Sequence, residues 1–209
     1  MPQSNRVTRA YNFEIRAENN EKNGDHIIGR PIVYNSKTDL GWFDEIIEAG
    51  ALDEANLKDV RFLVNHNTDM IPLARSRNNN ENSTMQLEVD KDGMSIRVNL
   101  DTENNTEARN LYSAIKRGDI TGMSFMFTID REEWEALESD HPTRHIKAIG
   151  QVFEVSAVTF PAYEATEISA RNKEALDSAK LALDGARRSL ESDEAALELA
   201  KAKNRNKIF

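Results

Sequence analysis

Ile120-Thr121-Gly122-Met123-Ser124-Phe125-Met126-Phe127-Thr128-Ile129 is the stretch on which the fold turns. Read as a strand, it puts Met123, Phe125, Phe127 and Ile129 on one face and Gly122, Ser124, Met126 and Thr128 on the other. Four large apolar side chains in one row require a buried sheet face. A second such strand is expected over His145 to Thr159. Outward from these, Met85 to Val89 and Met94 to Leu100 flank Asp90-Lys91-Asp92-Gly93, where Asp-Gly supplies the positive φ of a tight turn and predicts a hairpin. Tyr11 to Ala17 and Asp25 to Tyr34 read as strands joined through a polar turn, and Val60 to His66 is a short apolar run. Thr106 to Lys116 carries Ala108, Leu111, Tyr112 and Ile115 at helical spacing, with Gly118 where a helix would end. Asn78-Asn79-Asn80-Glu81-Asn82 cannot pack a core and is expected to be a mobile loop. Many short strands and one intervening helix place the body in the mainly β or α+β class, as a small barrel or sandwich decorated by helices.

The periodicity changes near Arg171. Leu176, Leu183, Leu190 and Leu197 recur every seven residues, with Ala179, Ala186, Asp193 and Ala200 three positions after each. That is a heptad seam, interrupted at Asp193. Two units follow: a body over 1–170 and a helical tail over 171–209. The tail's helix is read either as a coiled coil that self-associates or as a helix folded back on the body. Nine basic and seven acidic residues stand from Arg171 onward, leaving 18 and 29 upstream and a net charge of −11 on the body.

Composition narrows the chemistry. Of 209 residues, 27 are Lys or Arg and 36 are Asp or Glu, for a net charge of −9. Phosphate contacts need clustered cations, so no nucleic-acid partner is expected. No window nears the roughly 18 apolar residues of a membrane span, and the start lacks the apolar core of a signal peptide, so a cytoplasmic protein without a membrane partner is expected. Cysteine is absent. This removes disulfides, thiol nucleophiles and thiolate metal sites. Hydroxyls, carboxylates and four histidines remain, and neither cofactor nor metal is expected.

Ser124 stands beside Gly122, whose missing side chain would let a substrate backbone come close. A serine becomes a nucleophile only when a base takes its proton. His66 is the best candidate base, because it ends the apolar run Arg61 to Asn65 that would hold its backbone. His26, His141 and His145 sit in polar surroundings and read as surface residues. Glu154 lies inside Val152-Phe153-Glu154-Val155-Ser156-Ala157-Val158, where a carboxylate is costly to bury unless paired, so it is a candidate to hold the imidazole. Each also has a plain reading: a tolerated hydroxyl, a structural histidine, a solvated glutamate. Asp44, Glu45 and Glu48 suit a solvated helix face, and Asp90 and Asp92 a hairpin turn.

Five pieces in order carry a resemblance: Gly29 to Asn35, Phe43 to Leu52, Val64 to Asn67, Ile115 to Phe125, and Glu154 to Tyr163. On them the chain resembles the prohead (procapsid maturation) serine proteases of tailed bacteriophages, distantly like herpesvirus assemblin. The resemblance implies a β-barrel surrounded by helices, here with a long C-terminal helix. It implies a serine endopeptidase that cleaves scaffold segments and the major capsid protein precursor inside the immature procapsid, in the host cytoplasm, and trims itself. The catalytic histidine would be His66, the nucleophile Ser124 and the third member Glu154. Relatives often carry glycine two places after the serine, where Met126 stands here, and the Asn-rich insert lengthens the loop after His66. The competing reading is a catalytically idle assembly protein acting through its C-terminal helix.

Overall fold

The computed structural model describes residues 6–11, 15–20, 24–159 and 173–205. Its spine is the long antiparallel pair β10 (Gly122–Glu135) and β11 (Thr143–Val158). Met123, Phe125 and Phe127 of β10 are fully buried with Val152, Val155 and Ala157 of β11, as the alternation requires. Phe125 and Phe127 stack at 4.8 Å. Burying side chains of this size stabilises the fold by about 1.5–3 kcal/mol each.

Around this pair the sheet has order β1 (Arg6–Tyr11), β10, β11, β5 (Asp44–Ile47), β4 (Lys37–Asp39). The sixteen residues of β11 serve two parallel partners in turn. Thr143 to Ile146 pair with β5, and Glu154 to Ala157 pair with β6 (Asp59–Val64), which carries β7 (Ala74–Arg77) on its far side. A second sheet runs β2 (Ile15–Asn20), β3 (Gly24–Val33), β9 (Gly93–Asn99), β8 (Met85–Asp90). The expected closed barrel is therefore corrected to two sheets. Among the described residues the sheets do not join into a ring, because their edge strands β1, β2, β4, β7 and β8 each pair on one side only. The predicted strand over Tyr11 to Ala17 is divided, with Tyr11 ending β1 in one sheet and Ile15 opening β2 in the other.

Local signals are obeyed closely where turn and cap chemistry governs. The β8–β9 hairpin pairs Asp90 with Gly93, and Arg30 of β3 clamps the Asp90 carboxylate through two hydrogen bonds of 2.7 and 2.6 Å. That guanidinium holds the Asp90 carboxyl well below the usual carboxylate range. Gly93 has φ +136, and a Cβ there would lie 2.0 Å from the Ile32 carbonyl oxygen. Gly93→Ala is therefore expected to cost about 3 kcal/mol or more, read as a fall in the denaturant midpoint of unfolding. Helix α1 (Thr106–Arg117) starts at Asn105, whose side chain accepts from the Glu107 and Ala108 N–H groups, and ends at left-handed Gly118.

The Asn-rich insert is an exposed loop, as expected, and is closed by its own amides: Asn79 exchanges bonds of 2.8 Å with both backbone groups of Leu87, and the Asn80 side chain donates to the Arg77 carbonyl. Two local expectations are overturned. Glu45 lies on β5 rather than a helix and is 1% exposed, held by Arg9 and Arg144. His26 is fully buried between β2 and β9, with Nδ1 against the Gly24 carbonyl. His141 and His145 do reach the surface side, where each meets carboxylates.

The tail forms α2 (Lys173–Arg205). Its first half folds back on the body. Ala179 and Leu183 are buried against Phe43, with Leu40, Trp134 and Leu137 around them, and Arg187 donates to the Leu137 and Ser139 carbonyls. From Glu191 to Lys201 every residue is exposed. The Leu176 side chain, and Phe160 to Tyr163 of the last matched sequence piece, lie outside the described residues. No helix among those described is long and apolar enough to cross a membrane.

Candidate active site

At the end of β6 the chain makes a tight left-handed turn. Asn65 and His66 have φ of +50 and +57, a conformation that costs a side-chain-bearing residue roughly 1–2 kcal/mol. Three contacts hold it. The Asn65 N–H donates to the Ala157 carbonyl at 3.0 Å, the Thr159 N–H donates to Asn65 Oδ1 at 2.9 Å, and the His66 N–H donates to Ser156 Oγ at 3.2 Å. The turn thereby aims the imidazole back along β11.

There it meets Glu154. His66 Nδ1 lies 2.6 Å from Glu154 Oε1, and the other carboxylate oxygen accepts the Ser156 hydroxyl at 2.5 Å. The Glu154 side chain is 3% exposed and that of His66 25%. A carboxylate so buried requires partners, and these two donors supply them. With Glu154 accepting at Oε1, Nδ1 carries a proton, and in the neutral imidazole that tautomer makes Nε2 the acceptor. The solvated-face reading of Glu154 is thus excluded by its burial and its bonds.

Ser124 reaches the same face from the neighbouring strand. In the β10–β11 register it stands directly opposite Ser156, and Met126 stands opposite Glu154. The sheet therefore lays out adjoining rows on one face: Ser124 with Ser156 and Leu63, then Met126 with Glu154 and Arg61. Ser124 is fully buried, and its hydroxyl donates to the Arg9 carbonyl of β1 at 2.7 Å. Of the three predicted residues, His66 and Glu154 are in direct contact, whereas Ser124 is one strand away with its hydroxyl turned toward β1. Arg9 is itself anchored, because its guanidinium makes two bonds to buried Glu45, which Arg144 also meets.

Ser156 is the site residue that sequence reasoning passes over. Two polar residues at i and i+2 in the apolar run Val152 to Val158 must share a strand face, and that spacing alone would have paired Ser156 with Glu154. Elsewhere, Asp39, Asp44 and His141 bring three possible metal-ligand atoms within 4.8 Å of one another. Lys37 already sits 2.9 Å from Asp44, so the cluster is a surface ion-pair group. His145 is likewise held between Glu48 and Glu135.

A buried acid orienting a partly exposed imidazole beside a serine strand fits what the sequence comparison finds. The family described as caudovirus prohead serine protease matches residues 11–180. The chain belongs to that family. The match covers the whole serine-histidine-glutamate region and extends into the first turns of α2. No curated protein matches the chain. Among solved structures, the bacteriophage T4 capsid assembly protease gp21 is similar at 11% identity and a TM-score of 0.37, covering 73% of this chain and 98% of that one.

Proposed function

We propose that this prohead-protease family member is an active serine endopeptidase, with Ser124 as nucleophile, His66 as general base and Glu154 as the acid that orients it. The observation that carries the reading is the His66–Glu154 contact of 2.6 Å, made by a strained turn on the sheet face that bears Ser124. This reading requires a χ1 rotation that exchanges the Arg9 carbonyl for the β11 side and turns the Ser124 hydroxyl toward Nε2. His66 then removes the proton as Ser124 Oγ attacks a peptide carbonyl. Glu154 stabilises the imidazolium, which returns the proton to the leaving amine, and water releases the acyl group by the same route.

The substrates that the family suggests are scaffold segments and the major capsid protein precursor, cut inside the immature procapsid in the host cell, together with the protease itself. Incubating the full chain with the precursor and reading new termini by mass spectrometry tests this. Active enzyme yields discrete new termini, and the idle assembly-protein reading yields none.

The exposed half of α2 favours an added role in self-association. Leu197 and Leu199 are 55% and 58% exposed on a stretch with no burial from Glu191 to Lys201. Because Leu183 is committed to the body, the informative change is Leu190→Ser with Leu197→Ser. These are expected to lower the sedimentation coefficient toward the monomer value without changing the unfolding midpoint. An unaltered sedimentation profile would remove the association role.

A further inference from the structure

Ser156 touches both residues that prepare the base. It is fully buried on β11, with Ser124 opposite it on β10 and Leu63 opposite it on β6. Its oxygen accepts the His66 N–H at 3.2 Å, and its proton goes to Glu154 Oε2 at 2.5 Å. Glu154 Oε1 in turn meets His66 Nδ1 at 2.6 Å. The three residues close a ring of hydrogen bonds. It runs from the His66 backbone through one hydroxyl and one carboxylate to the His66 side chain.

Each link removes a different freedom. The last torsion of a glutamate is broad, so a carboxylate bonded at one oxygen still turns. The bond from Ser156 to Oε2 fixes that torsion and presents Oε1 to the imidazole. The imidazole leaves a backbone with φ +57, a left-handed conformation that is unfavourable for a residue with a side chain. Of the three contacts that hold this turn, the bond to Ser156 is the one made by His66 itself. The hydroxyl has a single proton, and it is given to Glu154, which leaves none for an oxyanion. Its influence on the chemistry therefore passes through its neighbours.

We infer that Ser156 is a positioning residue of the active site, whose hydroxyl sets the Glu154 carboxylate and the His66 turn together and so fixes where Nε2 faces. The inference rests on the protease reading of Ser124, His66 and Glu154. The test is Ser156→Ala in the full chain, made in the wild-type background and in His66→Ala. It is read by kcat and KM on one peptide substrate and by the rate of Ser124 labelling with a fluorophosphonate. A misplaced imidazole slows chemistry without weakening binding, so in the wild-type background kcat and labelling are expected to fall about a hundredfold, with KM within threefold. In His66→Ala no imidazole remains to be positioned, and the same change is expected to alter labelling by less than threefold. A loss of packing would slow both backgrounds alike, and that result overturns the role. Ser156→Thr and Ser156→Val then separate the hydroxyl from the shape of the side chain, since they differ by a hydroxyl in place of a methyl. The threonine variant is expected to be at least tenfold faster than the valine variant, and equal rates in the two folded proteins overturn the role. So does a Ser156→Ala enzyme within threefold of wild type, which leaves the protease standing. Wild-type protein that is neither labelled nor cuts overturns the protease reading, and the positioning role with it.

Discussion

Ser124→Ala is expected to abolish processing of the capsid precursor, lowering the rate by about 10⁴ to 10⁶. The substitution removes one oxygen from a fully buried position. In the resting structure that oxygen makes a single bond, to the Arg9 carbonyl. Its loss removes one hydrogen bond to the Arg9 carbonyl, a cost of about 1 kcal/mol, so the variant should unfold near the wild-type midpoint. The effect on chemistry is of another order, because no neighbouring group takes over nucleophilic attack. Ser156 is the nearest hydroxyl in the register, but it donates to Glu154 and accepts the His66 N–H. Full processing by Ser124→Ala, with the same new termini, would remove Ser124 from the nucleophile's role.

Glu154→Gln is expected to lower kcat by about 10⁴ with little change in KM, the scale on which an orienting acid acts in serine hydrolases. Glutamine keeps the volume at a position only 2% exposed, but it replaces an acceptor pair with one acceptor and one donor. If the amide nitrogen faces His66, Nδ1 must accept and Nε2 carries the proton, so the imidazole can no longer take one from Ser124. If it faces Ser156, the hydroxyl loses its acceptor. Either way the imidazolium formed during attack lacks a counter-charge. The check is a kcat and KM comparison on one peptide substrate, with Glu154→Asp as a partner variant. A variant within a few-fold of wild type would make Glu154 a packing residue.

What was legible in the sequence follows the range of the forces concerned. The hairpin at Asp90 to Gly93, the caps of α1 at Asn105 and Gly118, and the two faces of β10 depend on neighbours a few residues away, and all three are as read. The closed barrel failed because ring closure depends on which edge strands meet, a property of distant pairing that alternation does not encode. Glu45, on spacing that suits a helix face, and His26, in polar surroundings, both read as solvated, yet each is buried by strand pairing that neither signal encodes. The heptad seam of α2 specifies an apolar stripe and leaves its partner open. Phe43 and Trp134 of the body take the first half of that stripe.

The site was legible one residue at a time. His66 and Glu154 stand 88 positions apart and are joined by the parallel pairing of β6 with β11. Spacing gave no sign of that pairing, and the cost of burying a carboxylate pointed to Glu154 instead. The left-handed turn at Asn65 and His66 is favoured by Asn and stabilised by contacts to Ala157, Ser156 and Thr159. None of those contacts is local.

The central claim is that the hydroxyl at 124 becomes reactive through the imidazole at 66. The most direct measurement is the rate and position of covalent modification by a fluorophosphonate, mapped by peptide mass spectrometry on the full chain and on His66→Ala. A single adduct on Ser124, formed at least a hundredfold more slowly in His66→Ala, is the result predicted. An adduct on another residue, or equal rates in the two proteins, would contradict it.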